Sequence, residues 1–340
     1  MADSYPAGRW LTNQKVAHTA CLEKAPLPEL SYWRARGQVR EARPFAASRK
    51  HNTHSSARSF AASRKHYKNS SELDGQIFYA VLTMYKNHAT RCMTIKKTWG
   101  ARLPWDHLIF YSDRAETVLP LNVVALADPN LPENRMYDDA QDRFTYRVMP
   151  HAAGKLAALN MSWLLWADDD TFVWPENLQH LVVPYDPRRW IWLGQRCPLF
   201  EGRRSFCGGA GFVMSAALAS VATCVLPLCK SLRATQREKP SDRVMGICLE
   251  ELLHIRVADV PEFNSQPPHF YMTKDGQSDR PYGFGAAVTF HYLKTDLRPV
   301  TPEQHYEALW RLTRAAYPHS MRSVLPWAPL ELAAAGEPPN

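Results

Sequence analysis

Three consecutive carboxylates, Asp168-Asp169-Asp170, follow the apolar run Trp163-Leu164-Leu165-Trp166-Ala167 and precede Thr171-Phe172-Val173. Adjacent carboxylates repel one another, so grouping them costs stability unless something neutralises them. In an extended chain successive side chains alternate, which puts Asp168 and Asp170 on one side and Asp169 on the other. Two carboxylates on one side at a strand's end can hold a hard divalent cation, and such a cation binds a diphosphate in turn. The bland alternative is an acidic loop capping the helix that opens at Pro175. Placement directly after a Trp/Leu strand favours the cation.

Other polar groups are ambiguous taken singly. Asp242 stands just before an apolar helical run, Val244 to Leu253, where a carboxylate serves either as an N-cap or as a general base. His291 lies in the apolar strand pattern Ala287 to Leu293, and spacing alone reads it as a core histidine. In Cys207-Gly208-Gly209-Ala210-Gly211, the glycines permit positive φ and close backbone approach, suiting either a loop along a pocket or a tight bend.

The elements that would position these groups alternate between strand and helix. Ile77 to Thr83 reads as a strand, Ala89 to Trp99 as a helix stopped by Gly100, and His107 to Tyr111 as a strand ending at Ser112-Asp113. Asn122 to Leu126 is a third strand, Ala152 to Asn160 a helix, and Trp163 to Ala167 a fully buried strand. Between Ser205 and Cys229 we read a glycine-rich turn, a strand and a buried helix. This alternation predicts an α/β fold with a largely parallel sheet covered by helices on both faces. Ligands bind such sheets at the carboxyl ends of the strands, which is where Asp168 falls.

Composition narrows the function by location of charge. The net charge is +8, yet residues 1–70 hold 13 Lys+Arg against 4 Asp+Glu, leaving 28 against 29 for the rest. The body is therefore near neutral, which argues against a basic nucleic-acid groove. Residues 1–70 carry a tandem duplication, Phe45-Ala46-Ala47-Ser48-Arg49-Lys50-His51 recurring from Phe60 to His66, and read as a disordered or weakly helical tail. None of the seven cysteines forms a CxxC pair. Cys197 and Cys207 can close a hairpin, and Cys224, Cys229 and Cys248 can supply one further bridge, as a secretory-pathway protein would use them; buried free thiols are the alternative. The first 40 residues carry charges and prolines too often for a spanning helix, so neither an anchor nor a signal peptide is expected there. Asn69-Ser70-Ser71 and Asn160-Met161-Ser162 are glycosylation sequons, the second expected in buried structure and unused.

Taken in order, the motifs resemble those of the Fringe-like β-1,3-glycosyltransferases, the family of Fringe, the protein O-fucose β-1,3-glucosyltransferase and core 1 β-1,3-galactosyltransferase. Trp166-Ala167-Asp168-Asp169-Asp170-Thr171-Phe172-Val173 is similar to the family's DxD segment. Asn87-His88 through Lys97-Thr98-Trp99-Gly100 resembles the helix after its first strand, and Phe110-Tyr111-Ser112-Asp113 its second strand. Phe206-Cys207-Gly208-Gly209-Ala210-Gly211-Phe212-Val213 is similar to its GGAG segment, Asp242 with Gly246 and Cys248 to its acidic motif, and Phe290-His291-Tyr292 to its terminal FH. The resemblance covers Gln76 to Leu297. One departure stands out: Ser241 replaces an acidic residue one position before Asp242.

The resemblance implies a GT-A (Rossmann-like) α/β fold with a mixed, mostly parallel central sheet, residues 71–315 forming the catalytic domain and 316–340 a C-terminal tail. It implies an inverting, Mn²⁺-dependent enzyme that moves GlcNAc, Glc or Gal from a UDP-sugar to a glycan on a protein, making a β-1,3 linkage. Asp170 and His291 would be the metal ligands and Asp242 the base. On the donor side the implied residues are Thr83, Arg91, Asp113, Lys155, Asp168, Asp169, Gly208 and Gly209. Among these, Arg91 is a fork donor to the diphosphate or a solvated charge, Asp113 an acceptor for uracil N3–H or a strand end, and Lys155 is similar to a family lysine near the base. Trp192 fits the core better than the acceptor side. Members of the family sit in the Golgi or ER lumen as type II membrane proteins, and the membrane would be reached here only through an anchor not visible in this chain. The alternative is an inactive member acting as a glycan-binding or chaperone-like partner, which Ser241 favours and the intact Asp triplet and His291 oppose.

Overall fold

A computed structural model describes residues 76–125, 137–200, 203–225, 241–253, 255–271 and 284–291, with residue 304. The duplicated segment, the Asn69 sequon, both ends of the expected catalytic domain, the C-terminal tail, Cys21, Cys229 and Tyr292 lie outside the described residues.

Strands β1 (Ile77–Leu82), β2 (Leu108–Ser112), β3 (Val123–Ala125) and β4 (Trp163–Asp168) run parallel, with register pairs such as Tyr79↔Leu108, Phe110↔Val123 and Leu82↔Asp168. β6 (Trp192–Gly194), β9 (Phe212–Ser215) and β10 (Ala258–Asp259) extend this sheet, giving the order β10-β6-β9-β4-β1-β2-β3. β9 is antiparallel to both its neighbours. The sheet is thus the mixed, mostly parallel one expected.

Both faces are buried, and the period-two alternation sorts side chains between them. Phe78, Ala80, Ile109, Tyr111, Leu164 and Trp166 share one core. It is covered by α2 (Tyr137–Ala158), by helical residues 216–225 and by α4 (Ser241–Leu253). Ile77, Tyr79, Val81, Leu108, Phe110, Leu165 and Ala167 face a second core. There they meet Cys92, Ile95 and Trp99 from the helical segment after β1, and Leu178 and Val182 from α3 (Pro175–Val182). Trp192 is buried edge-on to Phe206, at 4.8 Å between ring centres, so it belongs to the core.

Several local details differ from the sequence reading. The helix expected over Ala89–Trp99 is broken into a 3-10 turn (Tyr85–Asn87), a π-turn (His88–Cys92), α1 (Met93–Lys97) and a second 3-10 turn (Trp99–Arg102). α2 begins well before Ala152 and runs through Pro150, which lacks the N–H for one helical bond without ending the helix. Asp242 lies within α4 and not ahead of it. Asn160 is exposed rather than buried: at φ 52° it closes α2 in the left-handed region, with Met161 N–H donating to Leu156 O at 2.9 Å. Cys197 and Cys207 form the expected disulfide across the hairpin β7 (Arg196–Phe200) and β8 (Arg203–Phe206). Cys248 is also disulfide-bonded, whereas Cys92 and Cys224 are free thiols.

A second, three-stranded sheet was not anticipated. β5 (Phe172–Val173) pairs antiparallel with β12 (Thr289–Phe290), and β12 pairs parallel with β11 (Phe263–Asn264). Trp174 N–H donates to Val288 O at 2.8 Å, and Asn177 on α3 donates to Ala287 O at 2.6 Å. These bonds lock the approach to His291 against the segment that leaves the Asp triplet.

Candidate active site

Because β1, β2 and β4 are parallel, their carboxyl ends form one edge carrying Thr83, Asp113 and the Asp triplet. The bonds Thr83 N–H to Tyr111 O (2.9 Å) and Asp169 N–H to Leu82 O (3.0 Å) carry the ladder one residue past the strand ends.

The triplet splits as alternation requires. Asp168 and Asp170 converge on His291, whose Nε2 lies 3.2 Å from Asp170 Oδ1 and 3.9 Å from Asp168 Oδ2. One potential ligand atom from each of the three lies within 4.8 Å of the others, a spacing that a single cation can bridge. His291 is placed by its own N–H, which donates to Asn264 O at 3.0 Å, and by Nδ1, 3.3 Å from Ser265 O. A ring nitrogen tied to a backbone carbonyl fixes the orientation of the other, the usual arrangement for a metal-binding imidazole. Burial pulls the His291 pKa down, but the Asp170 hydrogen bond and the charges of Asp170 and Asp168 outweigh it and hold the group above the ordinary imidazole range.

Asp169 points the other way and is buried. Its Oδ2 accepts from Thr83 Oγ1 and from Asn87 Nδ2, both at 2.7 Å, and its Oδ1 accepts from Arg91 Nη1 at 2.8 Å. Burial, above all, raises its pKa, with Asp170 adding to this and Arg91 opposing it. Two residues expected to contact the donor, Thr83 and Arg91, are thus bonded to a third, Asp169, and with Asn87 this fastens the helical segment after β1 to the turn that carries the two converging carboxylates. Asn87 and Arg91 reach Asp169 together because four residues apart is one helical turn.

The glycine loop has two positions that only glycine fits. A Cβ on Gly209 would fall on the His291 ring, and Gly211 has φ +74° with a Cβ that would come within 2.9 Å of Trp166 O. Thr171 Oγ1 donates to Gly209 O at 2.8 Å and Thr289 Oγ1 to Ala210 O at 2.5 Å, joining the loop to both segments that bring in ligand atoms. Gly208 is buried in the same turn.

The remaining expected residues are more dispersed. Asp113 Oδ1 accepts from Tyr85 N–H at 2.6 Å and Ser112 Oγ at 3.0 Å. Lys155 is exposed on α2, one turn beyond His151, and among the described residues makes none of these site contacts. Asp242 lies one turn before Gly246, whose added Cβ would meet Phe206 at 2.9 Å; α4 is thereby seated on the strand that leads into the glycine loop. Asn87, His88 and Ser112 stand in motifs quoted for the resemblance but were given no role of their own, and Glu116 was not named. Their partners lie across the edge, and only the one-turn spacing of Asn87 and Arg91 could have signalled any of them.

A family model described as Fringe-like matches residues 72–297. The chain belongs to the Fringe-like family. A mouse protein named beta-1,3-glucosyltransferase is 32% identical over 200 residues, covering 58% of this chain and 37% of that protein. The chicken beta-1,3-N-acetylglucosaminyltransferase radical fringe is 26% identical over 206 residues, 56% of this chain and 54% of its own. A solved glycosyltransferase structure, involved in glycosylation of the PBCV-1 major capsid, aligns at a TM-score of 0.40 and 13% identity over 69% of this chain and 98% of that one. The chain spans only about a third to a half of the length of these curated relatives. The Fringe-like match contains every element that contributes to the edge described above, from Thr83 to His291.

Proposed function

We propose that this Fringe-like protein is an inverting β-1,3-glycosyltransferase that moves a hexose or N-acetylhexosamine from a UDP-sugar to a glycan on a protein. The observation that carries the reading is the convergence of Asp168, Asp170 and His291 at the carboxyl end of β4. Two carboxylates and one oriented imidazole form a mixed N/O donor set that fits Mn²⁺, and the absence of a side chain at Gly209 leaves the space that the His291 ring occupies.

Asp170 and His291, with Asp168 beside them, would hold the ion, which supplies charge neutralisation for the diphosphate of the leaving group. Asp169 keeps its two neighbours facing the donor while Thr83, Asn87 and Arg91 occupy its own oxygens. Asp113 accepts from uracil N3–H. Asp242 takes the proton of the acceptor hydroxyl as that oxygen bonds to the anomeric carbon and the bond to UDP breaks, in one displacement with inversion. Its place on a helix seated against the strand that leads into the glycine loop supports this role. The Cys197–Cys207 disulfide supports a lumenal, oxidising compartment such as the Golgi or ER. Among the described residues no helix is long and apolar enough to cross a membrane.

The test is UDP release by the full chain with UDP-GlcNAc, UDP-Glc and UDP-Gal in turn, each with a glycopeptide acceptor and with Mn²⁺ or EDTA. Turnover of one donor that needs Mn²⁺ and disappears in Asp170→Ala and Asp242→Asn supports the reading and names the sugar. Folded protein that binds no UDP in the presence of Mn²⁺ refutes it.

A further inference from the structure

A second cluster of buried polar groups lies at the same edge, on the β2 side. His88 is 1% exposed and both its ring nitrogens are engaged. Nδ1 lies 2.9 Å from Glu116 Oε2, and Nε2 lies 2.8 Å from Ser112 Oγ. Ser112 is fully buried and donates to Asp113 Oδ1 at 3.0 Å. Glu116 is itself immobilised, since its Oε1 accepts from the backbone N–H groups of Thr117, Val118 and Leu119 at 3.0, 2.8 and 3.1 Å. A continuous line of hydrogen bonds therefore runs from a loop fixed by backbone donors, through a buried imidazole and a buried hydroxyl, to one oxygen of a half-buried carboxylate.

The cluster follows from the pleat. Ser112 follows Leu108 and Phe110 on the same face of β2, the face that packs against the helical segment after β1. On that segment His88, Cys92, Ile95 and Trp99 recur at helical spacing and are all buried. His88, the residue of that stripe nearest the carboxyl edge, meets the last residue of β2. A packing pair there needs only apolar groups. Burying a histidine, a hydroxyl and a carboxylate costs free energy that each hydrogen bond only offsets, so the arrangement is expensive unless it also does something.

We propose that His88 and Ser112 are positioning residues that set the Asp113 carboxylate for recognition of the nucleobase, making the donor site selective for uracil over cytosine. Both protein donors to Asp113, Ser112 Oγ and Tyr85 N–H, fall on Oδ1. Oδ2 has no partner among the described residues, so the carboxylate is pinned on one oxygen and offers the other. That acceptor matches uracil, whose N3 carries a hydrogen, and opposes cytosine, whose N3 carries a lone pair in the same place. A carboxylate free to rotate would discriminate less, because fixing it would then be a cost of binding. The Tyr85 ring packs edge-on to His88 at 5.2 Å between centres and is nearly half exposed, so the same imidazole also sets an aromatic face beside Asp113.

This inference rests on the donor reading above, and the experiment separates the two. UDP and CDP affinities are measured by calorimetry on the full chain with Mn²⁺, for wild type, His88→Ala, Ser112→Ala and Asp113→Asn. Ser112→Ala removes one oxygen and guards against misfolding of His88→Ala; circular dichroism checks both. The expected result is a preference for UDP in the wild type. UDP affinity falls about tenfold in His88→Ala and Ser112→Ala, the scale of one hydrogen bond, while CDP affinity changes less than about twofold. Adding Ser112→Ala to Asp113→Asn should lower UDP affinity no further. If folded Ser112→Ala keeps the wild-type UDP to CDP ratio, or loses both ligands equally, the inference fails while the donor reading stands. If wild type binds neither nucleotide, the donor reading fails and takes this inference with it.

Discussion

Gly209 and His291 sit so close that a methyl group on the glycine would overlap the imidazole ring. The glycine of this loop is therefore required by a neighbour far along the chain, in addition to anything its own backbone needs. Gly209→Ala should push His291 away from Asp170 and weaken Mn²⁺ binding by about 10–100-fold, the usual scale for disturbing groups that orient a metal ligand. Calorimetric titration with Mn²⁺ checks this, and unchanged affinity in folded protein would show that His291 is not a ligand.

Asn87 donates to Asp169 in a buried setting, so removing it leaves a carboxylate oxygen with less support. Asn87→Ala should lower stability by about 1–3 kcal/mol, the cost of under-satisfying a buried polar group. Urea denaturation of the variant measures this. A variant as stable as wild type would mean that Thr83 and Arg91 suffice.

The Glu116 carboxylate is held down at about 2, chiefly by the Val118 and Leu119 N–H groups, then by His88. A pKa below the unfolded value stabilises the fold above that unfolded value, and the contribution is lost as pH falls through the folded one. Wild type should therefore exceed Glu116→Gln in stability at pH 6, with the gap closing as pH drops from about 4.5 toward about 2. Urea midpoints at pH 6 and pH 3 provide the comparison; a constant gap would rule out an ionised Glu116 as its source.

The Cys197–Cys207 bond closes a short loop across the β7–β8 hairpin, immediately before the glycine turn. Replacing Cys197 and Cys207 together with serine should cost about 2–3 kcal/mol through the freer unfolded chain. Thermal unfolding of the double variant, beside wild type with and without reductant, reads the effect.

Much of the edge was legible because it depends on local pattern. The apolar runs that became β1, β2 and β4 are flanked by polar residues, and their alternation with helices predicted parallel strands whose carboxyl ends share one edge. The opposed directions of Asp168 and Asp169 followed from extended geometry alone. What the sequence did not reveal are side-chain pairings across long separations. Asp169 is joined to Thr83, Asn87 and Arg91 at separations of 86, 82 and 78 residues, and no periodicity announces such bonds. Arg91 illustrates the difficulty: one guanidinium in the helical segment at the carboxyl edge of the sheet suits a diphosphate or a buried carboxylate equally, and only the fold shows its bond to Asp169. The earlier part of α2 was missed because residues 137–147 are mostly polar and carry no apolar stripe to announce a helix. The three-stranded sheet was missed because its strands are two residues each, too short to show alternation.

That small sheet has a consequence for the order in which the molecule becomes competent. β12 pairs with β5 and β11 and with none of the seven strands of the main sheet, so His291 arrives by a route separate from the Asp triplet. Closing the long loop between them costs chain entropy that the two-residue strand pairs repay only in part. An ion gripped from both sides would act as a clasp. Amides of β12 should then exchange with deuterium more slowly when Mn²⁺ is present, while those of β1 and β4 hardly change.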